Sequence, residues 1–407
     1  MNEIFADRMS DVPRSFIREI LKVTLDPEVI SFAGGLPNRE YFPVEGLKRA
    51  ACSVFDIHGR DVLQYGSSEG DLSLRKFISQ RYRSRKGIDV PPENILITNG
   101  SQQGLDLLGK VMLNAGDGLI IEEPGYLGAI QAFSMFKPRF VPVLMDTDGM
   151  ILESLISEVD KATEAGGTPP KLMYTVPNFQ NPSGITYARG IREKIAEYIG
   201  TTDILLVEDD PYGELRFAGE DIPSFRKFLP DQSVLLGSFS KTVVPGFRLG
   251  WIAAPDAVLE KLLIAKQAAD LHSSHFTQRI IAEFLGANDI DEHIAIIKDI
   301  YGRQCRAMLD SIAEHFPEEV RYTRPEGGMF LWAELPEGLN ALELFEAAAR
   351  ENVVFVPGDP FYIGKTGVNT LRLNFSCVDE ETIEVGIQRL GKAIKRMLPA
   401  GTPTPAV

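Results

Sequence analysis

Lys241 follows an apolar run in the stretch SVLLGSFSKTVVPGFRLGWIAA, and a lysine is costly to bury unless the protein uses its amine. Ser238, Ser240 and Arg248 lie close to it in the chain. Hydroxyl groups and a guanidinium are good ligands for phosphate oxygens. A lysine amine beside a bound phosphate can form an imine with a carbonyl compound. The stretch therefore predicts a phosphate-binding cup next to a nucleophilic lysine.

Other polar residues also come directly after apolar runs. Ser101 follows NILIT and begins a helical pattern, so helix amides could join the phosphate cup. Asp209 follows DILLVE, where a buried carboxylate can hold a protonated ring nitrogen. Asn181 and Tyr212 can hydrogen-bond a phenolic oxygen, and Tyr126 can stack on a flat ring.

Each of these residues also has an ordinary structural explanation when it is considered alone. Ser101 could be a plain helix N-cap, and the NPSG around Asn181 is a common turn sequence. Tyr126 could be a core aromatic, Asp209 could pair with a surface lysine, and Lys241 could extend to solvent. Only their combination is specific, because it meets the demands of pyridoxal phosphate: a Schiff-base lysine, a phosphate cup and an acidic partner for the ring nitrogen.

The elements that would position these residues alternate along the chain. Seven short apolar runs separate helical patterns from residue 93 to residue 254: NILIT, GLIIEE, RFVPVLM, KLMYTVP, DILLVEDD, SVLLGSF and RLGWIAA. Such near-continuous runs are typical of strands buried on both faces, and their alternation with helices predicts an α/β domain with a large, mainly parallel, seven-stranded sheet. No helix separates the last two runs, which predicts an antiparallel neighbour. Ligands bind at the carboxyl ends of such strands, where the polar residues stand.

After Pro255 the pattern changes to long helices followed by a smaller α+β unit. The longest helix should begin at Asp289 or Asp291 and end at Pro317. We expect an N-terminal segment over residues 1–45 that contributes to the small domain and the substrate site. We also expect a large domain over 46–285, a small domain over 286–398 and a disordered tail over 399–407.

Composition and charge exclude several classes of function. The formal net charge of −15 makes nucleic acid an unlikely partner. Cys52, Cys305 and Cys377 are scattered and no HExxH motif occurs, so we expect neither a disulfide framework nor a metal site. No apolar run could span a bilayer and no signal peptide is visible, so we expect no membrane partner and a cytoplasmic location.

Longer stretches carry a resemblance to a known family: ISFAGGLPNREYFP, LQYGSSEGDLSLR, TNGSQQGLDLLGKVML, PNFQNPSG, EDDPYGELRF, GSFSKTVVPGFRLGW and NTLRLNFS. Over roughly residues 12–398 the chain resembles the class I/II aminotransferases, which are fold-type-I enzymes that use pyridoxal phosphate. Within this group it is most similar to the branch of 2-aminoadipate and kynurenine aminotransferases.

The resemblance implies a role for each candidate. Lys241 would form the Schiff base and move the proton, Asp209 would pair with the ring nitrogen, and Tyr126 would stack on the ring. Asn181 and Tyr212 would face the ring hydroxyl, and Arg372 would clamp the substrate α-carboxylate near the backbone of Gly35. The phosphate would be held by Ser101, Gln102, Ser238, Ser240 and Arg248, together with Tyr65 from the other subunit of a homodimer.

The resemblance leaves the substrate open. Arg18, in RSFIREILKVT, matches an arginine that can meet a distal carboxylate, which would favour glutamate or 2-aminoadipate; it could equally be a solvated helix residue. Leucine or aromatic donors are also expected, with 2-oxoglutarate as the acceptor in a ping-pong reaction. Alternatives are another pyridoxal-phosphate reaction such as β-elimination, or the effector domain of a transcription regulator, although the chain has no basic reader segment.

Overall fold

A computed structural model describes residues 4–9, 28–164 and 167–398 of the chain. Arg18 and the predicted tail over residues 399–407 lie outside these ranges. Within them, no helix combines the length and the apolar character needed to cross a bilayer.

The chain first forms a two-residue strand and two helices. Strand β1 (Ile30–Ser31) pairs in parallel with residues 353–354, far along the chain. Helices α1 (Val44–His58) and α2 (Leu72–Arg81) follow. The side chain of Asp71 caps α2 by accepting a hydrogen bond from the amide of Leu74. These elements precede the region in which we predicted regular structure.

An eight-stranded sheet forms the centre of the large part of the molecule. Its strands are β2 (Ile95–Thr98), β3 (Gly118–Glu123), β4 (Arg139–Asp146), β5 (Gly149–Met150), β6 (Leu172–Thr175), β7 (Leu205–Asp209), β8 (Ser233–Ser238) and β9 (Gly250–Ala253). Their spatial order is β2-β9-β8-β7-β6-β3-β4-β5. Strands β8, β7, β6, β3 and β4 are parallel to one another, whereas β9 is antiparallel to both of its neighbours. The predicted antiparallel neighbour is therefore present.

All seven predicted strands occur, and the eighth, β5, is an addition to the prediction. The amide of Asp148 donates to the side chain of Asp146 at 2.8 Å, and Gly149 has a φ of 119°. These residues close a tight turn that returns the chain antiparallel to β4. The pairing of Asp146 with Gly149 leaves Thr147 and Asp148 as the turn, and the stretch DTDG is a turn signal by composition, so the sequence contained the information.

Helices cover both faces of this sheet. They are α3 (Ser101–Met112), α4 (Leu127–Ser134), α5 (Leu152–Glu164), α6 (Arg189–Ile199), α7 (Asp256–Asp270) and α8 (His275–Ala287). Successive strand residues enter different apolar clusters: Ile120 packs in the cluster of α5 and α6, and Ile121 packs in the cluster of α3 and α4. Burial on both faces explains the near-continuous apolar runs.

The second part of the molecule combines a small antiparallel sheet with three helices. In chain order its elements are α9 (Ile290–His315), β10 (Arg321–Tyr322), β11 (Phe330–Glu334), α10 (Ala341–Ala349), β12 (Val353–Val354), β13 (Val356–Pro357), β14 (Thr370–Asn374) and α11 (Glu380–Met397). Strands β10, β11, β14 and β13 form the sheet. Asp289, not Asp291, caps α9, since its side chain accepts from the amides of residues 291 and 292. We propose that the large and small domains meet near residue 285, at the predicted border.

Candidate active site

A cavity of about 380 Å³ lies where the carboxyl ends of the central strands face the small sheet. Most of the predicted site residues line it: Gly35, Ser101, Gln102, Tyr126, Asn181, Asp209, Tyr212, Ser238, Ser240, Lys241, Arg248 and Arg372. They come from strand ends, helix starts and the segment after β1, which are far apart in the chain. The fold therefore assembles the candidates into one site, as the strand-end argument predicted.

Lys241 lies three residues beyond the end of β8 and is half-buried. Its Nζ donates a hydrogen bond to the carbonyl oxygen of Gly35 at 2.6 Å. Burial lowers the pKa of this amine to about 8, and the nearby guanidinium groups of Arg372 and Arg248 also lower it. A larger fraction of the amine is therefore neutral, and nucleophilic, than for a solvated lysine.

Asp209 is the last residue of β7, and 1% of it is exposed. Its Oδ2 accepts a hydrogen bond from the hydroxyl of Tyr174 at 2.8 Å, whereas its Oδ1 has no partner within the part of the chain described. Burial raises the pKa of this carboxyl to about 7. A buried oxygen without a donor is unfavourable, and an N–H group of a ligand would satisfy it.

The start of α3 lines one end of the cavity, where its geometry suits an anion. Gly100 is the N-cap of this helix and provides no side-chain cap, so the explanation of Ser101 as an N-cap is wrong: Ser101 is the first helical residue. The amide of Gln103 donates to the carbonyl oxygen of Gly100 at 3.2 Å, so the amides of Ser101 and Gln102 are the ones available to an anion. Gly100 has a φ of 76°, and a Cβ there would lie 2.9 Å from Nη2 of Arg248. Only glycine lets the helix start and this guanidinium come so close.

Ser238 and Ser240 complete this end of the cavity from the other side. Ser238 is the last residue of β8, and its hydroxyl accepts a hydrogen bond from the amide of Ser240 at 3.0 Å. The side chain of Gln102 reaches the carbonyl oxygen of Gly128 at 2.9 Å. Hydroxyls, helix amides and a guanidinium converge here, which is the donor set of a phosphate site.

Asn181, Tyr212 and Tyr126 line the middle of the cavity. The Asn181 amide approaches the Tyr212 hydroxyl at 3.4 Å. Burial raises the pKa of Tyr126 to about 12, so its hydroxyl remains protonated and can donate a hydrogen bond. The hydroxyl and amide groups of these side chains can hydrogen-bond an oxygen substituent, and their aromatic rings suit contact with a flat ring.

Arg372 reaches the cavity from β14 of the small sheet, and 1% of it is exposed. Its guanidinium lies over the rings of Phe330 and Phe361, at 4.3 and 5.3 Å from their centroids. It donates to Oδ1 of Asn181 and to the carbonyl oxygen of Ala33, both at 2.8 Å, and its Nε has no partner within the described ranges. A planar guanidinium held in this way can bind a carboxylate.

Among the predicted site residues that the structure describes, Tyr65 does not line the cavity. The side chain of Tyr65 is 78% exposed and makes an edge-on contact with His272, away from the cavity of its own chain. Its contribution to the phosphate site of the other subunit of a homodimer stays a prediction. Arg18 lies outside the described residues.

Sequence reasoning missed Tyr174, which binds Asp209. A tyrosine within a buried strand such as KLMYT requires a partner for its hydroxyl, and this requirement was the available signal.

The residues present fit pyridoxal phosphate. The donor set beside α3 matches its phosphate, the partnerless Oδ1 of Asp209 matches a ring N–H, and the amine of Lys241 matches its aldehyde. No group of three or more His, Cys, Asp or Glu side chains within the described ranges could hold a metal ion.

Comparison with known proteins agrees with this chemistry. The family model described as aminotransferase class I and II matches residues 36–390. Aromatic-amino-acid aminotransferase 1 of Thermococcus litoralis is 41% identical over 96% of this chain and 94% of its own length. The 2-aminoadipate transaminase of Thermus thermophilus is 41% identical over 98% of both chains.

A solved structure shows the same fold. It is that of α-aminoadipate aminotransferase from Thermus thermophilus, complexed with N-(5′-phosphopyridoxyl)-L-leucine. It has a TM-score of 0.88 and 39% identity, and it covers 97% of this chain and 98% of its own. The match of the family model to most of the chain, together with this likeness, shows that the chain belongs to the class I and II aminotransferases, fold-type-I enzymes that depend on pyridoxal phosphate.

Proposed function

We propose that this enzyme transfers the amino group of an L-amino acid to a 2-oxo acid, with 2-oxoglutarate as the acceptor, in a ping-pong reaction. The proposed donors are 2-aminoadipate, glutamate, leucine and aromatic amino acids. The observation that carries the proposal is that one cavity holds Lys241, whose amine has a lowered pKa, and Arg372, whose guanidinium is stacked and partly unpaired. The names of the relatives, an aromatic and a 2-aminoadipate aminotransferase, support the choice of donors.

Each side chain then has a defined task. When bound, pyridoxal phosphate supplies an electron-accepting ring and the carbon that carries the amino group between the two half-reactions. Asp209 keeps the proton on the ring nitrogen through its partnerless oxygen. Arg372, steadied by Asn181, binds the α-carboxylate. The neutral amine of Lys241 accepts the proton from Cα of the amino acid and returns it during the second half-reaction.

The space beyond the carboxylate site supports a broad choice of side chains. A second cavity of about 670 Å³ shares Leu36 and Pro245 with the first. Its wall includes both aromatic and charged residues, among them Tyr41, Arg39 and Arg303. We propose that Arg18 reads the distal carboxylate of dicarboxylic donors, on the sequence pattern alone.

We also propose a homodimer in which Tyr65 completes the phosphate site of the partner subunit. Support comes from an N-terminal apolar face, formed by Phe55, Leu63 and Tyr65, which are between 46% and 78% exposed and lie around Phe276 and His272. Exposed apolar residues grouped in this way mark protein interfaces. The cytoplasmic location stays a prediction.

A donor–acceptor panel tests the reaction. The enzyme is incubated with 2-aminoadipate, leucine or an aromatic donor and 2-oxoglutarate, and the products are identified. We expect glutamate in a 1:1 ratio with the new oxo acid, whereas ammonia and pyruvate would indicate elimination. Glutamate as a donor, whose reaction with 2-oxoglutarate gives no net product, is assayed with 4-methyl-2-oxopentanoate and should yield leucine and 2-oxoglutarate. Lys241→Ala should abolish turnover, and wild-type transamination by this variant would refute the assignment of the lysine. In the same panel, Arg18→Gln should lose activity on 2-aminoadipate and glutamate but not on leucine; equal losses would remove its proposed role.

A further inference from the structure

Glu122 is a buried carboxylate on β3 that the proposed reaction does not use. Only 1% of it is exposed. Its Oε1 accepts three hydrogen bonds, from the Thr175 hydroxyl at 2.7 Å and from the Val176 amide and the Tyr187 hydroxyl at 2.8 Å. Its Oε2 accepts one, from the side-chain amide of Gln180 at 2.9 Å. A buried charge with this many donors is held in one orientation.

The contact with Gln180 fixes a loop. The Gln180 side chain is fully buried, and its amide also donates to the carbonyl oxygen of Pro124 at 2.8 Å. Its side-chain oxygen accepts from the amide of Ser183 at 2.8 Å. The backbone amide of Gln180 donates to the carbonyl oxygen of Ile185. Gln180 therefore joins both ends of the turn over residues 180–185 to the end of β3.

Asn181, the next residue in this turn, is the one that touches the substrate end of the site. Its Oδ1 accepts the hydrogen bond of Arg372 at 2.8 Å. The position of the Arg372 guanidinium thus depends on Asn181, whose backbone depends on Gln180, which is bound to Glu122. This chain of contacts runs from the carboxyl end of β3, an interior strand of the large sheet, to β14 of the small sheet.

We propose that Glu122 is a positioning residue for the substrate carboxylate. By anchoring Gln180, it fixes the turn that places Asn181 against Arg372, so that the guanidinium faces the cavity in one orientation. The inference rests on the proposed role of Arg372. Misplacing a binding group by a fraction of an ångström weakens a preorganised site, although no contact with the substrate is removed.

Two variants break this link in different ways. In Glu122→Gln, the oxygen that receives three donors must stay an oxygen, so the new amide group faces the amide group of Gln180. This replaces a hydrogen bond by two opposed donors without changing size. Gln180→Met removes the same link and keeps the charge of Glu122. The second variant gives the result by itself if the first does not fold.

Glu208→Gln is the matched control. Glu208 is buried on β7 and is the register partner of Thr175, so it lies on the same face of the sheet as Glu122. Its side chain accepts from Ser224, not from the 180–185 turn. This variant alters another buried carboxyl group on the same face of the sheet while the proposed link stays intact.

The measurements are steady-state kinetics of the holoenzyme and binding of 4-methylpentanoate, which has the carbon skeleton of leucine without its amino group. We expect Glu122→Gln and Gln180→Met each to raise the KM for donors and oxo acids, and the Kd of 4-methylpentanoate, by about tenfold or more, with a smaller fall in kcat. The double variant should be no worse than either single one. Glu208→Gln should stay within about twofold of wild type.

Hydrogen exchange of the cofactor-free protein provides a readout that is independent of turnover. Amides of the 180–185 turn should exchange faster in the two link variants and at the wild-type rate in Glu208→Gln. Wild-type affinity for 4-methylpentanoate in both link variants, or equal losses in Glu208→Gln, would overturn the inference. Arg372→Lys separates the two proposals: if that variant also binds 4-methylpentanoate normally, the role of Arg372 itself is wrong.

Discussion

The Asp209 carboxyl is buried at the end of β7, with one oxygen bonded to Tyr174 and the other without a partner among the residues described. Burial raises its pKa from 3.8 to about 7. A group whose pKa is higher in the folded state favours folding below its unfolded pKa, and this contribution is lost as the pH rises through the folded pKa. At pH 8 the cofactor-free protein therefore carries an unfavourable buried charge that pyridoxal phosphate can compensate.

Asp209→Asn should show that the buried charge destabilises the cofactor-free protein. At pH 8 the cofactor-free variant should be more stable than wild type, because the neutral amide keeps an acceptor for Tyr174. The rise in pKa sets an upper limit of about 4 kcal/mol on the gain. The difference should disappear below about pH 3, beneath the unfolded pKa of 3.8, where the carboxyl is neutral in both the folded and the unfolded state. Thermal or urea unfolding across this pH range measures it.

In the holoenzyme, the same substitution should impair the reaction. There Asp209→Asn removes the charge that holds the proton on the ring nitrogen, so turnover should fall by at least about 100-fold while some cofactor binding remains. A variant that transaminates at the wild-type rate, or that is less stable than wild type at pH 8 without cofactor, would contradict this account of Asp209.

At the scale of the element, the start of α3 determines the geometry of the proposed phosphate-binding end of the cavity. Gly100 has φ and ψ of 76° and 168°, a region that is almost closed to other residues, and a Cβ would meet the guanidinium of Arg248. The close approach of the helix to Arg248 therefore depends on this glycine.

Gly100→Ala should weaken pyridoxal phosphate binding by about tenfold or more, because Arg248 must move away from the helix amides. Binding of pyridoxal, which has no phosphate, should change much less. Gly116→Ala is the control, since Gly116 also has a positive φ, 85°, but no atom lies within 4 Å of its added Cβ. Equal losses for both ligands in Gly100→Ala would show that the defect is not at the phosphate.

At the scale of the whole molecule, the site joins the two sheets through the segment after β1. Lys241 of the large part donates to Gly35, and Arg372 of the small part donates to Ala33. This segment is also tied to the small part through the pairing of β1 with β12. The N-terminal apolar face, which includes Leu63 and Tyr65, lies outside these contacts and is where we propose the second subunit binds.

Mixing Lys241→Ala with Tyr65→Ala tests whether each active site takes residues from both subunits. Lys241→Ala and Tyr65→Ala should each be impaired, the first completely. In a hybrid dimer, one of the two sites would combine an intact lysine with an intact tyrosine from the partner subunit. A 1:1 mixture, in which about half of the dimers are hybrids, should therefore recover about one quarter of the wild-type activity averaged over all dimers. Co-refolding followed by activity and mass measurements provides the readout. Leu63→Asp should prevent this recovery by keeping the chains monomeric, and recovery in its presence would argue against this face.

The strands, the cofactor and most of the site residues were predictable from sequence. Apolar runs buried on both faces locate the strands, and a side chain at a strand's carboxyl end must lie at the ligand-binding edge. This local logic identified Lys241, Asp209 and Ser101 as neighbours, and family motifs added Arg372. Strand β5 was also predictable, because the stretch DTDG after β4 is a turn signal.

Only the tertiary structure decided which side chains support that site. The bond from Tyr174 to Asp209, the contact of Arg372 with the rings of Phe330 and Phe361, and the link from Glu122 to Gln180 join residues that are distant in sequence. Strand and helix patterns depend on periodic burial, which each segment displays by itself. The partner of a buried polar group depends on how the segments pack, and that information is present only in the folded chain.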